Sequence, residues 1–190
     1  MNKSKFKKCE IVGIFLIYAG AALLHFLYDL TNGNIFAVLF GSVNESVWEN
    51  IKNFILPYVL WSVIELFGIK PPFKQFVVAK VAGLYFLIAA NIASFYIYTF
   101  FTGGPILIVD LILAAVWLTL SQYCSYRLTT TEKNLRDRFT IAVFLLFLMV
   151  VMYFTFTAFP PHSSLFLDYE TGTYGVPVAG LLPESVFLPM

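Results

Sequence analysis

Residues 3–30 read KSKFKKCEIVGIFLIYAGAALLHFLYDL, four lysines followed by a long apolar run over 11–30. At about 1.5 Å per residue, a helix of that length crosses the roughly 30 Å hydrocarbon layer of a bilayer. Backbone in hydrocarbon must satisfy its own N–H and C=O groups, and a helix does so within one segment. The lysines hold its leading end on the cytoplasmic side, because short translocated segments avoid lysine and arginine. Ala19-Gly20-Ala21 resembles a signal-peptide cleavage site, but the apolar run continues well beyond it, so a retained first span is expected.

The rest of the chain repeats this composition. Of its 190 residues, 59% are hydrophobic and 12% charged, against roughly 25% charged in an ordinary soluble domain. Water penalises so much apolar surface, whereas lipid does not. Asn32-Gly33-Asn34 signals a turn, and 35–40 is too short to cross, so it is placed at the outer interface. Ser42 and Glu45 have the S-x-x-E spacing of a capping box that opens a second span, with Pro57 predicted to kink it. Pro71-Pro72, Gly103-Gly104-Pro105 and the polar loop 129–138 separate the spans that follow. The predicted fold class is all-α, a polytopic membrane helix bundle of about five transmembrane helices over 1–158, at 10–30, 43–68, 74–101, 105–127 and 139–158. The tail, 159–190, carries Pro160, Pro161, Pro177, Pro183 and Pro189, too closely spaced with glycines for a further span. It is expected to cap the outer face as a lid.

Charge placement fixes an orientation. With the N-terminus inside, the cytoplasmic side holds Lys3, Lys5, Lys7, Lys8, Lys70, Lys74, Lys80, Arg127, Lys133, Arg136 and Arg138, eleven of the twelve cationic side chains. Lys52 alone falls outside, among Glu45, Glu49, Asp168, Glu170 and Glu184. This reads as a bacterial cytoplasmic (inner) membrane protein, multi-pass, with the lipid bilayer as its first partner and another membrane protein as a second. No basic face interleaved with aromatics supports nucleic-acid binding. Cys9 and Cys124 both fall at cytoplasmic helix ends, outside any C-x-x-C pair, and read as small apolar fillers rather than a disulfide or zinc site.

Ionisable groups inside membrane helices need a partner, water or a purpose. Tyr18, Ala22, His25 and Asp29 share one helical stripe. Glu45 and Glu49 lie one turn apart at the outer end of the second span, with Trp48 at the depth of an interfacial anchor. Asp110 lies about two turns inside the fourth span, and His162, Asp168 and Glu170 come from the tail. Two histidines with several carboxylates on one membrane face are a donor set for a divalent metal, whose bound water would be a nucleophile near neutral pH. In that reading His25, Asp29, Asp110, His162 and Asp168 are the candidate ligands and Glu45 or Glu49 the general base. The structural alternatives are dipole complementation by Glu45 and Glu49, an interhelical hydrogen bond for His25 and Asp29, and a surface position for His162. Nearer the cytoplasm, Glu65 and Lys80 on adjacent helices are expected to form a structural ion pair. Asn91, Ser94 and Tyr98 continue a polar stripe outward from Lys80, read as interhelical packing ahead of a pathway.

Two strings, NESVWE at 44–49 and PPHSSLFLDYETGTYG at 160–175, together with HFLYD around His25, resemble a family of small bacterial multi-spanning membrane proteins of unknown function. The resemblance covers nearly the whole chain and implies no activity. In the family pattern the residue after W-E is often histidine, where this chain has Asn50. NESVWE also resembles the E-T-x-N-I-W segment of the progestin and adiponectin receptor family. That family has seven helices and a late histidine pair, which this chain lacks.

Three functions remain open on sequence. The first is an outward-facing polar site that binds a small ligand or ion. The second is a membrane-embedded metal-dependent hydrolase acting on a lipid or amphiphile. The third is a non-catalytic scaffold or partner protein.

Overall fold

The structure, a computed structural model, describes residues 1–177; the end of the tail, with Pro183, Glu184 and Pro189, lies outside the described residues. Among these, the helices are α1 (Lys3–His25), α2 (Leu27–Leu30), α3 (Ile35–Phe40), α4 (Val47–Ile69), α5 (Phe73–Thr102), α6 (Leu107–Thr130) and α7 (Phe139–Ala158). A 3-10 turn, Arg136–Arg138, leads into α7. Helices α1, α4, α5 and α6, and α7 with that turn, are long and apolar enough to cross a membrane. Successive long helices reverse direction, which creates a basic face, with the N-terminus and the loop after α6, and a tail face, with 31–46 and the segment after α7.

The polarity of this bundle is inverted relative to a water-soluble domain. Phe100 is 82% exposed and Phe15 71%, while Glu49, Lys52, Glu65 and Lys80 are buried at 4% or less. Water-soluble domains keep such charges outside. An apolar wall around a charged interior is what lipid tolerates and water does not.

Small residues let the helices close on these groups. Helix α1 packs along α4 and α6, and α5 along α6, α7 and α4. Where α1 meets α4 and α6, a Cβ on Gly13 would lie 2.2 Å from Trp61 Nε1 and 2.6 Å from Gln122 Nε2. Only a glycine admits both side chains there, the small-residue packing that membrane helices favour. The main apolar core, including Ile17, Tyr58, Leu84, Leu118 and Met149, fills the space between the two faces.

Three local expectations are revised. Helix α1 ends at His25, and the chain turns through α2 to the left-handed pair Asn32 (φ 53°) and Gly33 (φ 71°). Asp29 therefore leaves the stripe of Tyr18 and His25. Helix α4 starts at Val47 with Ser46 as its cap, the Glu49 N–H donating to Ser46 Oγ at 3.3 Å. Both Ser42 and Ser46 have a glutamate three residues on. The second site prevails because Asn44 Oδ1 accepts the Ser46 N–H (2.9 Å) and holds the chain extended just before the helix. Trp48 is no interfacial anchor: it is 3% exposed and packs between Phe156 and Phe166.

Candidate functional site

The tail face is built around Glu49 in the first turn of α4. Its Oε2 accepts from the Val43 N–H (3.1 Å) and from Lys52 Nζ (2.7 Å), and its Oε1 accepts from Thr157 Oγ1 (2.7 Å). Lys52 Nζ also donates to Thr157 Oγ1 at 2.6 Å. The three side chains thus form a closed triangle between α4 and the last turn of α7, all at most 3% exposed. A lysine beside a hydroxyl is the pairing used in Ser–Lys nucleophilic catalysis, where the lysine must be neutral to take the proton. Here the nitrogen sits in an ion pair and the hydroxyl proton is already directed to Glu49. Buried and fully partnered, the triangle joins helices, and Glu49 has no oxygen free to act as a general base. It also accounts for the one cation on the tail face, since Glu49 neutralises Lys52.

The tail folds back onto this region. Asn44 Nδ2 donates to the Gly175 carbonyl (2.8 Å) and the Trp48 N–H to the Leu165 carbonyl (2.9 Å). The strings at 44–49 and 160–175, far apart in sequence, are thereby one structural unit. Within the tail Asp168 is a turn-former: its oxygens accept from the Glu170 N–H (3.0 Å) and from Thr171 Oγ1 (2.5 Å). Its backbone N–H donates to the Thr173 carbonyl (3.0 Å), beside a single antiparallel bridge between Leu167 and Tyr174.

The five candidate metal ligands do not come together. His25 Nε2 lies 3.5 Å from Glu45 Oε1, both side chains partly exposed, and Asn50 Nδ2 donates to Glu45 Oε2 at 3.2 Å. Asp29 is exposed on α2, away from the α1 stripe. His162 is exposed and stacks flat on Tyr174, with ring centroids 4.6 Å apart. Asp110 accepts from Tyr98 (2.6 Å), and Asp168 serves its turn. Among the described residues, no three histidine, cysteine, aspartate or glutamate side chains are grouped to hold a metal ion. The polar stripe on α5 is also committed: Asn91 donates to the Leu87 carbonyl, and Ser94 accepts from Trp117 Nε1. One hollow of about 330 Å³ lies beside Gln75 and Lys133 and another of about 390 Å³ beside Tyr96 and Tyr169. Neither includes His25, Glu45 or Glu49.

The second polar cluster lies in the half of the bundle toward the basic face. Lys80 stands seven residues into α5, about 10 Å along its axis. Its Nζ donates to Glu10 Oε2 on α1 (2.8 Å) and Gln122 Oε1 on α6 (3.3 Å), and pairs with Glu65 on α4. The nitrogen also stands over the Tyr58 and Phe76 rings, 5.5 and 5.6 Å from their centroids. Ser125 Oγ donates to the other Glu10 oxygen at 3.0 Å. Glu65 Oε2 is in direct contact with the ammonium, and Gln122 Nε2 is buried without an acceptor. Trp61 and Cys9 both lie against Glu65.

Glu10, Gln122 and Ser125 are absent from the sequence-derived candidates. Glu10 follows four lysines and reads as part of a charged lead. A signal was nevertheless present: Phe6, Glu10, Gly13, Ile17 and Ala21 recur at steps of three and four, one buried stripe with an acid within it.

A family model described as "Family of unknown function (DUF6512)" matches residues 1–176, which includes every helix and both tail-face strings. No curated protein and no solved structure matches the chain.

Proposed function

We propose, from the premise that the chain belongs to the DUF6512 family of unknown function, that it is a five-span membrane protein that binds a small cation inside its bundle. The observation that carries this reading is the Glu10–Lys80–Glu65 cluster, two carboxylates and one ammonium contributed by three helices and shielded from solvent. Fully ionised, it would leave one negative charge buried. An uncompensated charge in such an environment costs several kcal/mol. A bound monovalent cation or proton removes it, and intramembrane ionisable groups commonly mark such sites.

In this reading the N-terminus and the loop 131–135 face the cytoplasm of a bacterial cell, on the argument of cation placement. The binding function moves from the tail face to the basic half, because the tail-face groups are committed to one another. The hydrolase reading loses support on the same ground: Glu49 has no free oxygen, and its candidate ligands serve separate contacts.

The test is unfolding of the purified protein in detergent across a pH series and a sodium series, wild type against the double variant Glu10→Gln, Glu65→Gln. Wild-type stability should depend on proton or sodium concentration more steeply than the variant's. If the two proteins respond identically, the cluster binds no cation and the proposal fails.

A further inference from the structure

We propose that the hollow between the start of α5 and the loop after α6 binds a phosphate group, held by Lys133, Arg136 and Thr129 at the uncapped N-terminus of α5. It lies on the basic face and shares no residue with the Glu10–Lys80–Glu65 cluster, so neither proposal depends on the other.

The hollow has a volume of about 330 Å³, at the low end of the roughly 300–1,000 Å³ of small-ligand sites. Pro72 and Gln75 line it from the start of α5. A helix leaves the N–H groups of its first turn without intrahelical acceptors, and its aligned peptide dipoles make that end electropositive. Pro72 is the N-cap residue of α5, and no side chain caps the helix. Helix α6 ends beside it, and the free carbonyls of a helix C-terminus repel an anion. Gln75 covers them: its Nε2 donates to the carbonyls of Leu128 (3.1 Å), Thr131 (3.3 Å) and Lys133 (3.2 Å). Its Oε1 accepts from the Leu135 N–H at 3.4 Å, so the glutamine is itself fully used in holding the loop.

Two further observations point to an anion. Lys133 and Arg136 line the hollow, are exposed, and are in no ion pair among the described residues. Against Glu132, the one acid in the lining, they leave an excess of one positive charge. A guanidinium and an ammonium together are donors suited to phosphate oxygens. The second observation is Thr129, which also lines the hollow. It is 3% exposed, and its Oγ1 is buried without a hydrogen-bond partner. Thr99, Thr119 and Thr130, also helical, each donate to the carbonyl four residues back. Thr129 does not, and its hydroxyl is free to donate to an oxygen of a ligand. That buried hydroxyl distinguishes the hollow from a solvated basic loop. Because the hollow stands where the long apolar helices end, a lipid headgroup and a soluble phosphate both reach it, and both present the same oxygens.

The test measures two probes on the full chain purified in a neutral detergent. Inorganic phosphate is followed by equilibrium dialysis, and short-chain phosphatidic acid, against phosphatidylcholine of the same chain length, by native mass spectrometry. Saturable binding of at least one probe is expected. The paired change Lys133→Gln, Arg136→Gln should weaken it by about tenfold. Thr129→Val should weaken it by about threefold, while Thr129→Ser, which keeps the hydroxyl, stays close to wild type. Thr129→Ala replaces the valine variant should that one fail to fold. Lys7→Gln with Lys8→Gln removes as much charge from the same face, and should leave affinity within about twofold because exposed charges farther away are screened. Binding of phosphatidic acid alone assigns a lipid headgroup, and binding of inorganic phosphate assigns a soluble ligand; both support the site. Equal weakening by the Lys7 and Lys8 changes, or unchanged binding in Thr129→Val, would reduce the hollow to a charged surface and overturn the proposal. Saturable binding of neither probe would end it and leave the cation cluster untouched.

Discussion

Lys80→Met removes the ammonium from between two buried carboxyls and leaves a side chain of similar length. The wild-type nitrogen is 2.8 Å from Glu10 Oε2. At an effective dielectric constant near 20, two unit charges at that separation attract by about 6 kcal/mol, before the cost of drying them. Part of that attraction offsets desolvation, so the measurable loss is smaller: breaking a buried pair by removing one partner costs about 3–5 kcal/mol. The same change in a Glu10→Gln background strands no carboxylate at position 10. Its cost there should fall by about 2 kcal/mol, the remainder being the stranded Glu65 and the lost contacts with Tyr58, Phe76 and Gln122. The assay is a double-mutant cycle on unfolding free energies in bicelles, read by tryptophan fluorescence. A coupling of at least about 2 kcal/mol between positions 10 and 80 is expected. Strictly additive costs, or a Lys80→Met loss below about 1 kcal/mol, would refute the claim that this ammonium neutralises Glu10.

Gly13→Ala should destabilise by about 1–3 kcal/mol through overpacking against Trp61 and Gln122, and should change Trp61 emission. Gly68→Ala, whose added Cβ meets nothing within 4 Å, is the control and should be neutral or slightly stabilising in the same unfolding assay. Thr157→Val should cost about 1–3 kcal/mol by leaving Glu49 Oε1 and one Lys52 donor unpaired, and Thr157→Ser should recover most of it in a thermal melt. Asn44→Ala removes the bond to Gly175 and should speed protease cleavage within 159–177 in sealed spheroplasts, with the bundle itself intact. Cysteines placed at Thr171 and Lys133 in a Cys9- and Cys124-free background report orientation. An impermeant maleimide should label the first from outside intact cells and the second only after lysis.

The bundle was legible because membrane insertion leaves little choice of architecture. Long apolar runs interrupted by Asn32-Gly33, Pro71-Pro72 and Gly103-Gly104 can only be helices and turns, and five long apolar helices are found. Local start signals were harder, because Ser42 and Ser46 satisfy the same four-residue pattern, and the Asn44 side chain decides between them. The site was legible in part. Glu65 and Lys80 stand out as charges in apolar segments, whereas Glu10 is hidden by its lysine neighbours. Pairings across helices were not legible at all. Nothing local to Thr157 announces that it bridges Glu49 and Lys52, and nothing local to His25 selects Glu45 over Asp29. Spacing along one helix specifies a face, and the neighbour opposite that face depends on how five helices are arranged around one another.

The two buried clusters use the same chemistry in different proportions, and the proportion separates their roles. On the tail face one glutamate, one lysine and one threonine satisfy one another: charge is balanced, each Glu49 oxygen is bonded, and the tail covers the outside. A cluster closed in this way has nothing to exchange, and its effect is to hold the α4 entrance against α7. Toward the basic face two glutamates share one lysine. If stability alone shaped that half, a single carboxylate, or an apolar core of equal volume, would serve as well or better. The added carboxyl is what the cation-binding cluster proposed above requires. That places the ion chemistry within about two turns of the face where eleven of the twelve cations gather, and leaves the tail face a structural cap.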